Sequence, residues 1–358
     1  MHRRLGMLTA GGAAVTPIGF RRSPAPISAV EGIAPVDLGQ TGDGKLARRA
    51  FSVVETLAKL GSFADSLRGV DAILARNLEM LVIAARARRR FAPGAKLIYE
   101  CLDIHRMLLS KRLDGRLLRM LESRLWRDVD LLLTSSPAFI KNYFIPRNFP
   151  SPIRLVENKV LVPEKQQPGI LDLRPQGPPW RIGWFGMIRC QRSLEILESI
   201  ARKAEGAVEV VIRGRPSEAV FDDFQERIDQ MRHVRFDGPY RSADLPAFYG
   251  EVHFAWAIDY FEQGQNSDWL LPNRIYEGTL YGAVPIALAN VETGNWLSQR
   301  GAGVVLGEPL ETELVGFFRQ LDDNGYTSLS EAIRTVHRTD LVVDRSECRA
   351  LVEALCDK

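Results

Sequence analysis

The residues best spaced for chemistry lie between Leu271 and Leu288, in the run Leu-Pro-Asn-Arg-Ile-Tyr-Glu-Gly-Thr-Leu-Tyr-Gly-Ala-Val-Pro-Ile-Ala-Leu. Pro272 suits the start of a helix, Gly282 its stop, and residues 284–289 a short apolar strand. Asn273, Arg274 and Glu277 then fall on the first turn and a half, with Asn273 and Glu277 four apart on one face. A helix N-terminus lined by an arginine and amides favours an anion such as a diphosphate. A carboxylate one turn in can accept both hydroxyls of a ribose. A surface helix with ordinary polar residues is the plain alternative.

Two other stretches hold reactive groups. Residues 259–269 (Asp-Tyr-Phe-Glu-Gln-Gly-Gln-Asn-Ser-Asp-Trp) are rich in hydrogen-bonding and aromatic side chains. They can fix a sugar, with Asn266 as the leading contact, or they form a plain loop. Residues 99–106 (Tyr-Glu-Cys-Leu-Asp-Ile-His-Arg) sit at the end of an expected strand. There Asp103 or His105 can take a proton from an acceptor hydroxyl, given hydrogen-bond reach. In the alternative, Asp103 caps a helix and His105 is merely exposed.

Short apolar runs alternate with amphipathic ones along the whole chain, which is the pattern of parallel sheets crossed by helices. In the first half strands are expected at 15–20, 71–75, 96–100, 131–134 and 153–156, and helices at 3–10, 46–60, 78–90, 106–126 and 137–143. The second half repeats the rhythm, with strands at 181–185, 208–213, 234–236, 252–257, 284–289 and 304–306. Residues 163–179 are polar, proline-rich and aperiodic, and are expected to link two domains, 1–162 and 180–358. The fold class expected is α/β, with two doubly wound Rossmann-like domains facing across a cleft. Ligands bind beyond the carboxyl ends of such strands, where the three stretches above fall. The first domain opens on a helix, so its usual first strand is expected to be missing. Residues 2–29 loosely imitate a signal peptide, but Gly11-Gly12 split the apolar run and Arg21-Arg22 follow it directly.

The run at 271–288, with Phe185-Gly-Met-Ile-Arg189 and with Phe236-Asp-Gly-Pro-Tyr240 before residues 245–249, resembles the donor-binding domain of GT-B glycosyltransferases of the family-4 type. Order and spacing match over residues 181–307, and the first half resembles the acceptor domain more loosely. The resemblance implies transfer of a hexosyl group from a nucleoside-diphosphate sugar to a glycan or lipid-linked oligosaccharide, as in bacterial exopolysaccharide assembly. It implies that Glu277 binds the nucleotide ribose. It also implies that Arg189 and Arg192, before a helix start at Ser193, stabilise the departing diphosphate with no metal and no cofactor beyond the donor. The family's first carboxylate falls on Trp269, a departure that leaves donor sugar and stereochemical course open, with Asp268 adjacent. A nucleotide-sugar epimerase or hydrolase of the same build, or a non-catalytic nucleotide-sugar-binding subunit, are the alternatives. Asp128-Val-Asp130 has the form of another glycosyltransferase fold's metal motif but precedes its strand, and Gly11-Gly12 is no dinucleotide fingerprint.

Composition narrows the partners. The chain has 358 residues, 46% hydrophobic, 25% charged and 8% aromatic, which excludes disorder and a disulfide scaffold. Forty-seven basic and 44 acidic residues leave a net charge of +3, so no nucleic-acid partner is indicated. Residues 84–127 alone carry 12 basic against four acidic residues, a net of +8. At 107–127 the cations interleave with Leu, Met and Trp at helical spacing, which suits a helix resting on an anionic membrane or one packed on the core. The four cysteines form no C-x-x-C and have no histidine at ligand spacing, so a reducing cytoplasm, with peripheral placement at the inner face of the membrane, is expected.

Overall fold

The computed structural model describes residues 2–41, 46–163 and 171–357. The chain forms two compact units, one of Met1–Glu157, Leu161–Lys165 and Val343–Lys358, the other of Asn158–Val160 and Gln166–Val342.

The first unit opens on helix α1 (His2–Ala10). Strands β1 (Ile18–Arg21) and β2 (Val36–Gln40) follow and pair in parallel as a separate two-stranded sheet. The main sheet runs β3 (Ala72–Arg76), β4 (Lys96–Cys101), β5 (Leu131–Thr134) and β6 (Ile153–Leu155), all parallel and in sequence order. β4 and β5 are apolar along most of their length because both faces are covered. Helices α2 (Leu46–Ala58) and α3 (Asn77–Phe91) lie between the early strands. The helix expected over 106–126 is two, α4 (Arg106–Leu109) and α5 (Leu113–Trp126). The chain turns extended at Ser110, and Gly115 admits the close approach, since a Cβ there would lie 2.6 Å from the carbonyl oxygens of Met107 and Ser110. Helix α6 (Pro137–Phe139) continues as a π turn over Ile140–Phe144.

The C-terminal helix Arg345–Cys356 belongs to this first unit, whereas the sequence reading places it with the second half. Its Cys348, Leu351 and Leu355 are buried in one cluster with Met7, Ile98 and Leu133, so its apolar face is matched to this sheet. Asp128 and Asp130 do structural work, as their position before β5 suggests. Asp130 accepts from the Leu97 amide at 2.8 Å and meets Arg88, while Asp128 pairs with Arg89 at 2.6 Å.

The second unit holds six parallel strands: β7 (Trp180–Ile188), β8 (Val208–Pro216), β9 (Val234–Phe236), β10 (Phe254–Trp256), β11 (Val284–Leu288) and β12 (Val304–Leu306). Their spatial order is β9-β8-β7-β10-β11-β12, so the winding reverses between β7 and β10. Such a reversal splays the loops after the two strands apart and opens a crevice at their carboxyl ends. Helices α7 (Gln191–Lys203), α8 (Phe224–Gln230), α9 (Leu245–Gly250), α10 (Asn266–Trp269), α11 (Asn273–Leu280) and α12 (Glu292–Gln299) connect them. α11 lies hard on the sheet, because a Cβ at Gly278 would come within 2.7 Å of the Ala255 Cβ.

Residues 164–170 of the expected linker lie outside the described residues, and 171–179 form neither helix nor strand. That second piece is anchored rather than free. The Leu173 amide donates to the Gly250 carbonyl at 3.0 Å, and Arg174 donates to the Gly282 carbonyl and, at 2.7 Å, to the Tyr326 hydroxyl.

Candidate functional site

The segments after the carboxyl ends of β7 and β10 carry the expected binding residues of the second unit. β7 delivers Arg189, and α7 begins two residues later with Arg192 in its first turn and no acidic residue there. Ser193 is fully buried at that turn, with a hydroxyl oxygen that has no protein partner. Cys190 Sγ caps this thirteen-residue helix by accepting from the Ser193 amide at 3.4 Å, and the helix start carries the positive end of its dipole.

Both arginines turn toward the loop after β10. Arg189 pairs with Asp259 at 3.2 Å and lies over the Phe261 ring. Arg192 donates to Gln263 at 2.6 Å and Glu308 at 3.0 Å and stacks 4.0 Å above the Tyr260 ring. Burial and the hydrogen bond to the Glu308 carboxylate keep the Tyr260 hydroxyl protonated, far above its ordinary range. Asp259, Tyr260 and Glu308 complete this cluster; for the first two the sequence offered only the loop's richness in aromatics and polar groups as a signal, and for Glu308, just beyond β12, it offered none.

Asn266 is buried at the start of α10. Asp268 accepts from the Gly264 amide at 3.0 Å, closing the turn ahead of it, and Trp269 is half-buried. A small cavity beside them is lined by Ile258, Asp259, Ser267, Leu270, Val291 and Thr293, at the ends of β10 and β11.

On α11 Asn273 is exposed, Arg274 half-buried and Glu277 buried at 5% exposure. The Tyr249 hydroxyl donates to Glu277 Oε2 at 3.4 Å. Burial first, and then the Glu277 charge, hold the Tyr249 hydroxyl protonated, so it stays a donor to that carboxylate. Glu277 is therefore a buried, oriented acceptor one turn from a helix start, between β10 and β11.

In the first unit the expected pair lies after β4. Asp103 and His105 are both exposed. His105 Nδ1 accepts from the Met107 amide at 3.3 Å and so caps α4. In the neutral ring that bond leaves the proton on Nε2, which then donates rather than accepts. Burial, and then the nearby Arg49, lower the His105 pKa and favour that neutral ring. Ahead of the pair, at the end of β4, the fully buried Glu100 is gripped by Arg4 and Arg76, each at 2.6 Å. Burial works to raise the Glu100 carboxyl, and the two guanidiniums outweigh it and hold it below its ordinary range. Neither this clasp nor the burial of Arg4 was visible from spacing.

Among the described residues no group of three or more His, Cys, Asp or Glu side chains is placed to hold a metal ion. Among them also, no helix is long and apolar enough to cross a membrane.

No protein-family model matches the chain. Its fold matches that of HepE from Anabaena, solved in complex with UDP and glucose, with a TM-score of 0.69 at 16% identity over 100% of this chain and 96% of that one. It also matches WaaG, a glycosyltransferase involved in lipopolysaccharide biosynthesis, with a TM-score of 0.63 at 12% identity over 99% and 96% of the two chains. Together these matches establish the GT-B fold. In sequence, the chain is 46% identical to the succinoglycan biosynthesis protein ExoL of Rhizobium meliloti (strain 1021), over 99% of this chain and 90% of that protein. Identity at that level along nearly the whole length places the chain in the ExoL family of succinoglycan biosynthesis proteins.

Proposed function

We propose that the chain is a glycosyltransferase of exopolysaccharide synthesis, moving a hexosyl group from a nucleoside-diphosphate sugar to a glycan or lipid-linked oligosaccharide at the cytoplasmic face of the membrane. One observation carries this reading. The start of α7, with Arg189 and Arg192, and the buried Glu277 lie at the same carboxyl edge of one doubly wound sheet. That edge combines a cationic helix end for a diphosphate with a buried carboxylate for a ribose.

In the proposed reaction the diphosphate takes the place of Asp259 on Arg189 and of Gln263 and Glu308 on Arg192. These pairs are partly exposed and individually weak, on the order of 1 kcal/mol or less, so a ligand carrying two or more negative charges can displace them. As the glycosidic bond to the diphosphate breaks, charge grows on the leaving oxygen, and the two guanidiniums and the α7 amides stabilise it. Glu277 fixes the ribose and so the reacting carbon, while Asn266 orients the hexose. The acceptor oxygen bonds to the hexosyl carbon as the bond to the diphosphate breaks, Asp103 accepts the proton of that hydroxyl, and His105 donates a hydrogen bond to the acceptor from Nε2.

Incubation of the purified chain with a nucleoside-diphosphate hexose, with and without acceptor, tests the reading. Release of the nucleoside diphosphate that depends on acceptor and is lost in Glu277→Ala supports it. Tight donor binding with no turnover under any acceptor sinks it in favour of a binding subunit.

A further inference from the structure

We propose that the outward face of α5 is a docking surface for an anionic phospholipid bilayer. The helix is built in reverse of an ordinary surface helix. Its inward face is already fixed: Glu122 is fully buried and accepts from Tyr99 at 3.0 Å, Tyr143 at 2.6 Å and Arg147 at 2.5 Å, and Gly115 and Trp126 are buried on the same side. Its outward face carries Leu113, Leu117, Met120 and Leu121, which are 75%, 64%, 68% and 42% exposed. Their spacing of four, three and one puts them on a single stripe. An apolar stripe on the solvent side of a helix whose other side is already satisfied is not part of the unit's core, and it marks a contact surface.

Charge identifies what the surface contacts. Lys111, Arg112, Arg116, Arg124 and Arg127 are all exposed around the stripe, against a single exposed carboxylate between 111 and 127, that of Asp114. A two-fold contact with a second copy would set these cations against their own images. An anionic bilayer answers both features, with headgroup phosphates for the arginines and the acyl boundary for the leucines and methionine, the helix lying in the interface plane. The proposal does not depend on the reaction catalysed, and its test reads binding rather than turnover.

The test is flotation of the full chain with vesicles of phosphatidylcholine containing about one third phosphatidylglycerol, against vesicles of phosphatidylcholine alone. The chain is expected to float with the anionic vesicles only, and less as salt rises. Arg112→Gln/Arg116→Gln/Arg124→Gln is expected to weaken binding on the order of 100-fold, from about fivefold per cation. Leu117→Gln/Met120→Gln is expected to weaken it at least about tenfold. Both variants change exposed side chains, and unchanged melting confirms that they fold. Absence of the parent from the anionic vesicles, or flotation of both variants equal to the parent's, overturns the proposal. So does a dimer in sedimentation that Leu117→Gln/Met120→Gln converts to monomer, because the stripe then belongs to a second copy.

Discussion

Glu277→Gln separates the ribose assignment from a structural role for that carboxylate. The side chain is buried and oriented by the Tyr249 hydroxyl at 3.4 Å, and the amide oxygen of the variant can still accept that bond. What the variant loses is charge at the acceptor. A hydrogen bond to a charged group contributes about 1.5–3 kcal/mol and a neutral one about 0.5–1.5, so each ribose hydroxyl loses about 1 kcal/mol. Two hydroxyls give about 2 kcal/mol, or about a 30-fold rise in the Kd for UDP. Titration calorimetry with UDP and with uridine reads this directly, and the same factor is expected for both because both carry the ribose. The melting temperature without ligand should stay within a few degrees of the parent's. A UDP Kd within about threefold of the parent's, which is under 1 kcal/mol, would refute the assignment.

Arg189→Gln/Arg192→Gln has the complementary profile: UDP binding falls by at least about tenfold while uridine binding holds, since only the diphosphate meets the guanidiniums. His253 gives a pH signature. It is fully buried, accepting from the Arg181 amide at 2.9 Å and bonded to the Pro175 carbonyl at 3.0 Å. Burial, outweighing the Pro175 bond, lowers its pKa from 6.5 to about 4. The unfolded chain takes up that proton first, so its stabilisation is present above pH 6.5 and lost as pH falls toward 4. About 2 kcal/mol should go between pH 7.5 and pH 5 in urea unfolding, and His253→Gln should flatten that part of the profile. Arg4→Met strips one of two cations from the buried Glu100 and should cost about 3 kcal/mol in the same assay. Adding Glu100→Gln to Arg4→Met should recover part of that loss.

The second unit was legible because its chemistry and its periodicity coincide. Pro272 and Gly282 bracket α11 within a residue or two, and the apolar runs at 234–236 and 304–306 are strands with the expected bounds. Asn273, Arg274 and Glu277 follow from those brackets, since helical spacing alone puts them near one end. Contacts distant in sequence were not legible. Nothing around Arg189 names Asp259, 70 residues away, and nothing near Arg4 names Glu100. Residues 106–126 looked like one helix because Leu and Arg keep helical spacing through Ser110, and the break is set by tertiary packing at Gly115. The same spacing leaves open which side of α5 faces inward. The inward side is marked by Glu122, whose buried carboxylate is satisfied by three partners from other segments that spacing does not reveal. The C-terminal helix was assigned by chain order, whereas its place is set by the apolar face it shares with Met7 and Leu133.

The central claim is tested most directly by mass analysis of the acceptor. The purified chain would be incubated with a panel of nucleoside-diphosphate hexoses and the lipid-linked oligosaccharides of a polysaccharide-producing cell that lacks this protein. The account predicts that one hexosyl unit is added to one oligosaccharide from one donor of the panel, with an equal amount of nucleoside diphosphate released, and that Glu277→Ala abolishes both. Donor consumed with free hexose or an epimerised donor as the only product, or donor bound with nothing consumed, would contradict it.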